Sequence, residues 1–339
     1  MSTIRDPSRQ SPSVIELRPQ RHPDHFLRIG ELDAHQLTRL LSLATKMRED
    51  PRPFEDQLHG ESVAYYVERQ SPRSSVSFEA AAHRLGMLPI MVRPDERQPA
   101  QDQPIGDTAR VLSSYCAGIV AQGFTQPVLE QMAAASSTPV INALSDDHHP
   151  CQALADLLTL RDTFGELSGL RVACLGDATN VVHSIMEAGA LAGMHVRVAS
   201  PARYRPLPEI TDAVARVAAA HGGSLLVTDD PLEAADEVDV VYTDTWVSMG
   251  DDAEHHRRGH DLSPFAVTVN VMHHATPHAV FMHCLPAHRG REVAADVIDG
   301  PRSLVFHQAA NRLPTDQTVL WALCSGNWPP PKRRPDETP

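Results

Sequence analysis

Asp244, Ser248 and Met249 follow directly on a short apolar run that ends at Tyr242. A buried strand needs only apolar residues. A carboxylate, a hydroxyl and a thioether just past its end therefore stand where open α/β sheets bind ligands, outside the carboxyl ends of the strands. An acidic group at such a place suits a cationic substrate. A second cluster has the opposite character: Ser71, Pro72, Arg73, Ser74 and Ser75 lie between a β-rich run and an apolar helical pattern, Phe78 to Gly86. Unsatisfied N–H groups at a helix start, with hydroxyls and an arginine beside them, make an anion site, and phosphate is the obvious guest. Taken singly, each residue has a structural alternative. Asp244 could cap a helix, Met249 could fill a gap in a core, and Ser71 with Pro72 could be an ordinary N-cap followed by proline at the first helical position.

The elements that must carry these residues are legible as an alternation. Apolar, β-rich runs occur at Val63 to Val67, Met87 to Val92, Gly118 to Ala121, Pro139 to Leu144, Leu170 to Leu175, His195 to Ala199, Ser224 to Thr228, Val238 to Tyr242 and Ala279 to Cys284, with helical patterns between them. Nearly continuous apolar strands separated by amphipathic helices imply parallel sheets covered on both faces. The fold class expected is α/β, with two doubly wound parallel-sheet domains and the active site in the cleft between them. A first helix is expected near His35 to Arg48 and a terminal one over Thr315 to Cys324, preceded by Asn311 and Arg312. Tails are expected at 1–25 and 327–339, where Pro, Arg and Ser dominate the first and a run of prolines the second.

The chain has 339 residues, more than one domain usually holds, and 42% of them are hydrophobic. A formal net charge of −13 argues against nucleic-acid or anionic-membrane partners, which need clustered Lys and Arg. No apolar run reaches the length of a membrane span, and the first residues lack the apolar core of a secretory signal, so a cytoplasmic location is expected. Five cysteines without a C-x-x-C pair suit reduced thiols. The 19 histidines include the adjacent pairs His148/His149, His255/His256 and His273/His274, which lack the i, i+4 spacing of a zinc helix. No metal and no cofactor are expected, and no G-x-G-x-x-G follows either candidate first strand.

Asp244 to Gly250 resembles the ornithine-reading loop of ornithine carbamoyltransferases, in the aspartate/ornithine carbamoyltransferase family, and further stretches match that family in order. They are His149, Pro150, Cys151 and Gln152 with Asp156; Gly176 and Asp177 with Asn180, His183 and Ser184; His283, Cys284, Leu285 and Pro286 with Arg289, Gly290 and Glu292; and Asn311 with Arg312. The resemblance covers about Leu27 to Leu323. It implies that Ser71, Arg73, Ser74, Gln152, Leu285 and Arg312 hold carbamoyl phosphate, with His149 donating to the carbamoyl oxygen. It also implies that Asn180, Asp244, Ser248 and Met249 hold ornithine, and that Cys284 with Asp244 helps bring its terminal amine to the neutral, nucleophilic form. Asp156 is expected to be structural.

Two positions depart from the family pattern. Pro72 replaces a threonine of the Ser-Thr-Arg-Thr phosphate loop, removing a hydroxyl and an N–H, and Gln122 falls by spacing where an arginine is expected, so that it is expected to bind the donor through its amide but without the charge. Thr179 stands in place of a second asparagine. The expected reaction is transfer of a carbamoyl group from carbamoyl phosphate to the side-chain amine of L-ornithine, giving citrulline and phosphate, as in arginine biosynthesis. The catalytic set is His149, Asp244, Cys284 and Arg312. Residues 26–155, with a returning helix at 313–326, would bind the donor, and 156–312 the amino acid. The family also implies a homotrimer. The alternatives are a divergent paralogue using a related donor or amine, and a catalytically weak amino-acid-binding or regulatory protein.

Overall fold

The computed structural model describes residues 24–68, 72–93, 104–246 and 252–329. The N-terminal half holds α1 (Ala34–Glu49), β1 (Ser62–Val67), α2 (Pro72–Arg84), β2 (Leu88–Val92), α3 (Ile105–Ser113), β3 (Gly118–Phe124), α4 (Gln126–Ala135) and β4 (Val140–Ser145). Its four strands are all parallel in the order β2-β1-β3-β4. α5 (Pro150–Phe164) leads into the second half. There follow β5 (Arg171–Leu175), α6 (Asn180–Leu191), β6 (His195–Ala199), α7 (Pro208–Ala220), β7 (Ser224–Thr228), α8 (Pro231–Ala235), β8 (Val240–Thr243), α9 (Asp252–Leu262), α10 (Val269–His274), β9 (Val280–His283), α11 (Ala295–Ile298) and α12 (Val305–Cys324). The five strands of this half are parallel too, in the order β7-β6-β5-β8-β9.

Each sheet has a point where the winding reverses, between β1 and β3 in the first and between β5 and β8 in the second. Such points open a crevice at the carboxyl ends of the strands. α1 begins at a capping box, in which Asp33 accepts the Gln36 N–H at 2.7 Å and Gln36 accepts the Asp33 N–H at 3.0 Å. α6 is mostly apolar and buried almost end to end, and α5 is buried from Pro150 to Leu160. A helix of that kind belongs inside a molecule. One apolar core runs from Val63 and Val120 of the first sheet through Leu154 and Leu158 of α5 to Val172 and Val240 of the second.

All nine expected strands form, two of them (His195–Ala199 and Ser224–Thr228) with the expected ends and the others with ends shifted. The third runs past Ala121 to Phe124, because the side chain of Gln122 is satisfied inside the sheet by the hydroxyl of Tyr65. The expected terminal helix requires the largest correction. It starts at Val305, ten residues before Thr315, and carries Asn311 and Arg312 within it. Pro314 suggests a break, since proline removes one backbone donor and crowds the preceding turn. Packing against α1, α2 and α5 nevertheless carries the helix through it. The boundaries placed at 155/156 and 312/313 thus fall inside α5 and α12. Residues 327–329, expected to open a C-terminal tail, are packed instead: Trp328 lies on Phe26, their ring centroids 5.5 Å apart, and the Pro329 carbonyl accepts from Gln36, while 1–23 and 330–339 of the expected tails lie outside the described residues.

Candidate active site

At the carboxyl end of β8, Asp244 is held by three donors. Its Oδ1 accepts from the Thr245 N–H at 2.7 Å and from Cys284 Sγ at 2.8 Å, and its Oδ2 accepts from the Thr179 hydroxyl at 2.8 Å. Three neighbouring strand ends, those of β5, β8 and β9, thereby converge on one carboxylate. Asn180, the first residue of α6, donates across to the carbonyl of Ser145 at the end of β4. His149 is the N-cap of α5, buried, and its N–H donates to the Ser184 hydroxyl at 2.8 Å. These two contacts join the strand ends of the first sheet to α6 of the second half. Leu285 follows Cys284 with φ +60, a left-handed conformation unusual away from glycine, and its N–H donates to His283 Nδ1 at 2.8 Å.

On the other side of the cleft, Arg312 is 8% exposed. It donates to Gln152 Oε1 at 3.0 Å and pairs with Asp316 at 3.2 Å, while Asp316 accepts from Ser77 of α2 at 2.6 Å. Burial works against its charge, but the adjacent Asp316 outweighs that, so the guanidinium is held firmly cationic. Its Nε has no hydrogen-bond partner among the described residues. A buried, charged N–H left open in this way is a donor available to an anion. Gln152, Cys284 and Arg312 line one cleft of about 630 Å³ together with Ser77.

Gln122 is fully buried at the end of β3, and its Oε1 accepts from Tyr65 of β1. Tyr65 in turn takes a hydrogen bond from Ser75 in the first turn of α2, and burial pushes its phenol well above the usual range. Through this tyrosine the Gln122 departure is tied to the first turn of α2. Ser71, Ser248 and Met249 lie outside the described residues, as do the side chains of Arg73 and Ser74.

Among the described residues, Asp244, His283 and Cys284 could offer a metal one ligand atom each, all within 4.8 Å of one another. His283 already uses Nδ1 as an acceptor, and Cys284 gives its proton to Asp244. The arrangement as it stands is a hydrogen-bonded set.

Two family models match the chain. The carbamoyl-phosphate-binding domain of aspartate/ornithine carbamoyltransferases covers residues 24–162, and the Asp/Orn-binding domain covers 168–323. The chain belongs to the aspartate/ornithine carbamoyltransferase family. It is 46% identical to an ornithine carbamoyltransferase of Parafrankia sp. over 299 residues, 87% of this chain and 94% of that one. It is 39% identical to the ornithine carbamoyltransferase of Bacillus subtilis over 298 residues, 88% and 93% of the two chains. The solved structure of the Pyrococcus furiosus ornithine carbamoyltransferase superposes with a TM-score of 0.86 at 38% identity, over 90% of this chain and 98% of that one.

Some of the residues that build this family site were not singled out from sequence. Thr179 registers there only as a replacement for asparagine, yet it orients Asp244. Tyr242 and Gln308, which hydrogen-bond Asp156 behind the cleft, look like one more strand residue and one more helix residue. The i, i+4 spacings Gln152/Asp156 and Arg312/Asp316 are the signals that could have found part of the network. Arg258 of α9 donates to Asp177 and to the Trp246 carbonyl, and lies 5.1 Å from the centroid of the Tyr204 ring. No local pattern marks it.

Proposed function

We propose that the protein transfers the carbamoyl group of carbamoyl phosphate to the δ-amine of L-ornithine, releasing citrulline and phosphate. The observation that carries this reading is a cation and a carboxylate-linked thiol on one cleft. Arg312 brings a cation with an open N–H to its lining, and Cys284, on the same lining, donates to the carboxylate of Asp244 beside it. An anionic donor and a cationic acceptor fit that polarity, and the names of the relatives are in keeping with it.

Carbamoyl phosphate would be held by the first turn of α2, with Ser71, Arg73 and Ser74, and by Arg312. His149 and Gln152 would hold its carbamoyl group, beside Leu285. Ornithine would lie along Asn180, Asp244, Ser248 and Met249, its δ-amine near Asp244 and Cys284. The neutral amine attacks the carbonyl carbon and a tetrahedral oxyanion forms. The C–O bond to phosphate then breaks, and the amine proton leaves through the Asp244 side. Catalysis by orientation and preorganised charge needs no covalent intermediate. Residues 26–155 with the end of α12 would serve the donor and 156–312 the acceptor. A homotrimer fits the exposed apolar side chains of Leu88 and Ile90 on β2, at the open edge of the first sheet. Five cysteines outside any disulfide fit a reducing, cytoplasmic setting, and among the described residues no helix is long and apolar enough to cross a membrane.

Citrulline formation from carbamoyl phosphate and ornithine by the purified protein tests the reading, with Asp244→Asn beside it. The variant should lose at least about a hundredfold in kcat/KM for ornithine, on the order of 3 kcal/mol, while still binding carbamoyl phosphate. No turnover by the unmodified protein would overturn the assignment.

A further inference from the structure

The amide of Gln152 is gripped at both ends. Its Oε1 faces Arg312, and its Nε2 donates to Asp156 Oδ1 at 2.8 Å. Asp156, 2% exposed, also accepts from Gln308 Nε2 at 2.7 Å and from the Tyr242 hydroxyl at 3.1 Å. Gln308 Nε2 reaches the Tyr242 oxygen as well, at 3.0 Å, and Gln308 Oε1 accepts the backbone N–H of His283 at 3.0 Å.

The direction of every bond in this chain follows from its far end. A backbone N–H can only donate, so the oxygen of Gln308 must face His283 and its NH2 must face Asp156. A carboxylate can only accept, so the NH2 of Gln152 must face Asp156 and its oxygen must face Arg312 and the cleft. A proton on Asp156 Oδ1 would set an O–H against the two amides that donate to it, and one on Oδ2 would turn the Tyr242 hydroxyl from donor to acceptor and leave its own proton without that partner.

We propose that Asp156 and Gln308 are positioning residues for carbamoyl transfer: the ionised carboxylate decides which end of the Gln152 amide meets the reacting groups, and Gln308 ties that choice to the strand end bearing Cys284. This rests on the reading of Gln152 as a donor-site residue. The chain crosses α5, β8, β9 and α12, so it also registers the two halves of the cleft against each other. The titratable and charged groups facing Asp156 are Arg312 on α12, Tyr242 on β8 and Cys174 on β5. Burial raises the Asp156 carboxyl to about 6, against the lowering effect of its three hydrogen bonds and of Arg312. Activity should therefore fall on the acid side as this group takes up a proton.

The test is the pH dependence of kcat and of KM for carbamoyl phosphate between pH 5 and 9, for the unmodified protein, Asp156→Asn, Gln308→Glu and Gln152→Ala, each checked for folding by its unfolding midpoint. Asp156→Asn should lower kcat at least tenfold and remove the acid limb near pH 6. Gln308→Glu sets a second carboxyl against the first, so its acid limb should move up by a unit or more, with activity recovering toward that of the parent at pH 9. Should Asp156→Asn fail to fold, the Gln308→Glu profile decides alone. An unshifted limb in the folded variants, with Gln152→Ala impaired, overturns the positioning role and leaves the Gln152 reading intact. An unimpaired Gln152→Ala overturns both.

Discussion

Asp156 and Glu187 are both carboxyls buried where the two halves of the molecule meet, and they are held very differently. Asp156 sits behind the cleft and receives three side-chain donors. Glu187, on α6 at the back, receives the Gly30 N–H at 2.9 Å, with the buried His148 ring nitrogen 3.7 Å away. Burial and the neighbouring His183 and Arg28 push His148 down to about 4, so it stands neutral and offers no counter-charge. Glu187 is raised by burial to about 7, from 4.5, while Asp156, enclosed more completely, is raised to about 6, from 3.8. Desolvation of the two is comparable in kind, and the number of donors separates them. The carboxyl beside the chemistry is equipped to stay charged near neutral pH, whereas the one at the back is barely equipped for it.

The largest effect expected from this contrast is on folding through Asp156. Replacing it by leucine takes the acceptor from buried donors of Gln152 and Tyr242, at about 1–3 kcal/mol each, and leaves Gln308 only the Tyr242 oxygen. A loss of about 4 kcal/mol in urea unfolding is expected, and a loss below about 1 kcal/mol would show that the network carries little stability. Next comes Glu187→Gln, which keeps the acceptor for Gly30 without ionising. Because the folded-state value lies above the unfolded one, Glu187 favours folding fully below about pH 4.5 and loses that contribution as pH rises through about 7. The variant should therefore match the parent at pH 4 and exceed it by about 2 to 3 kcal/mol at pH 8. A pH-independent difference between the two proteins would remove the back of the comparison. Smallest is Tyr242→Phe, which takes one of three donors from Asp156 and should cost about 1 kcal/mol. It should also move the acid limb of activity upward by a fraction of a unit, read from the same pH profiles.

Each region was legible in the sequence to a different depth. The nine strands announce themselves as apolar runs, because parallel strands covered on both faces need nothing else. Asp244 and Asn180 are visible because polar groups just past such runs are out of place in a core. Gln122 and Pro314 misled the reading of element ends for a physical reason. A buried amide is tolerated where Tyr65 meets it, and a proline is tolerated in α12 where three helices press on it. Thr179, Tyr242, Gln308 and Arg258 carry no local mark, since what makes each matter is a partner between 12 and 152 residues away.

By itself, the sequence determined the local terms: which segments are strands and which strand ends carry a carboxylate, an amide or a thiol. Those follow from periodicity and from the chemistry of single residues. Only the tertiary structure decided which of those ends converge, that Arg312 lies within a helix packed against the other half, and which way the Gln152 amide points. Such choices depend on donors and acceptors brought together from distant segments. Hydrogen-bond polarity propagates through contacts that no window of sequence contains.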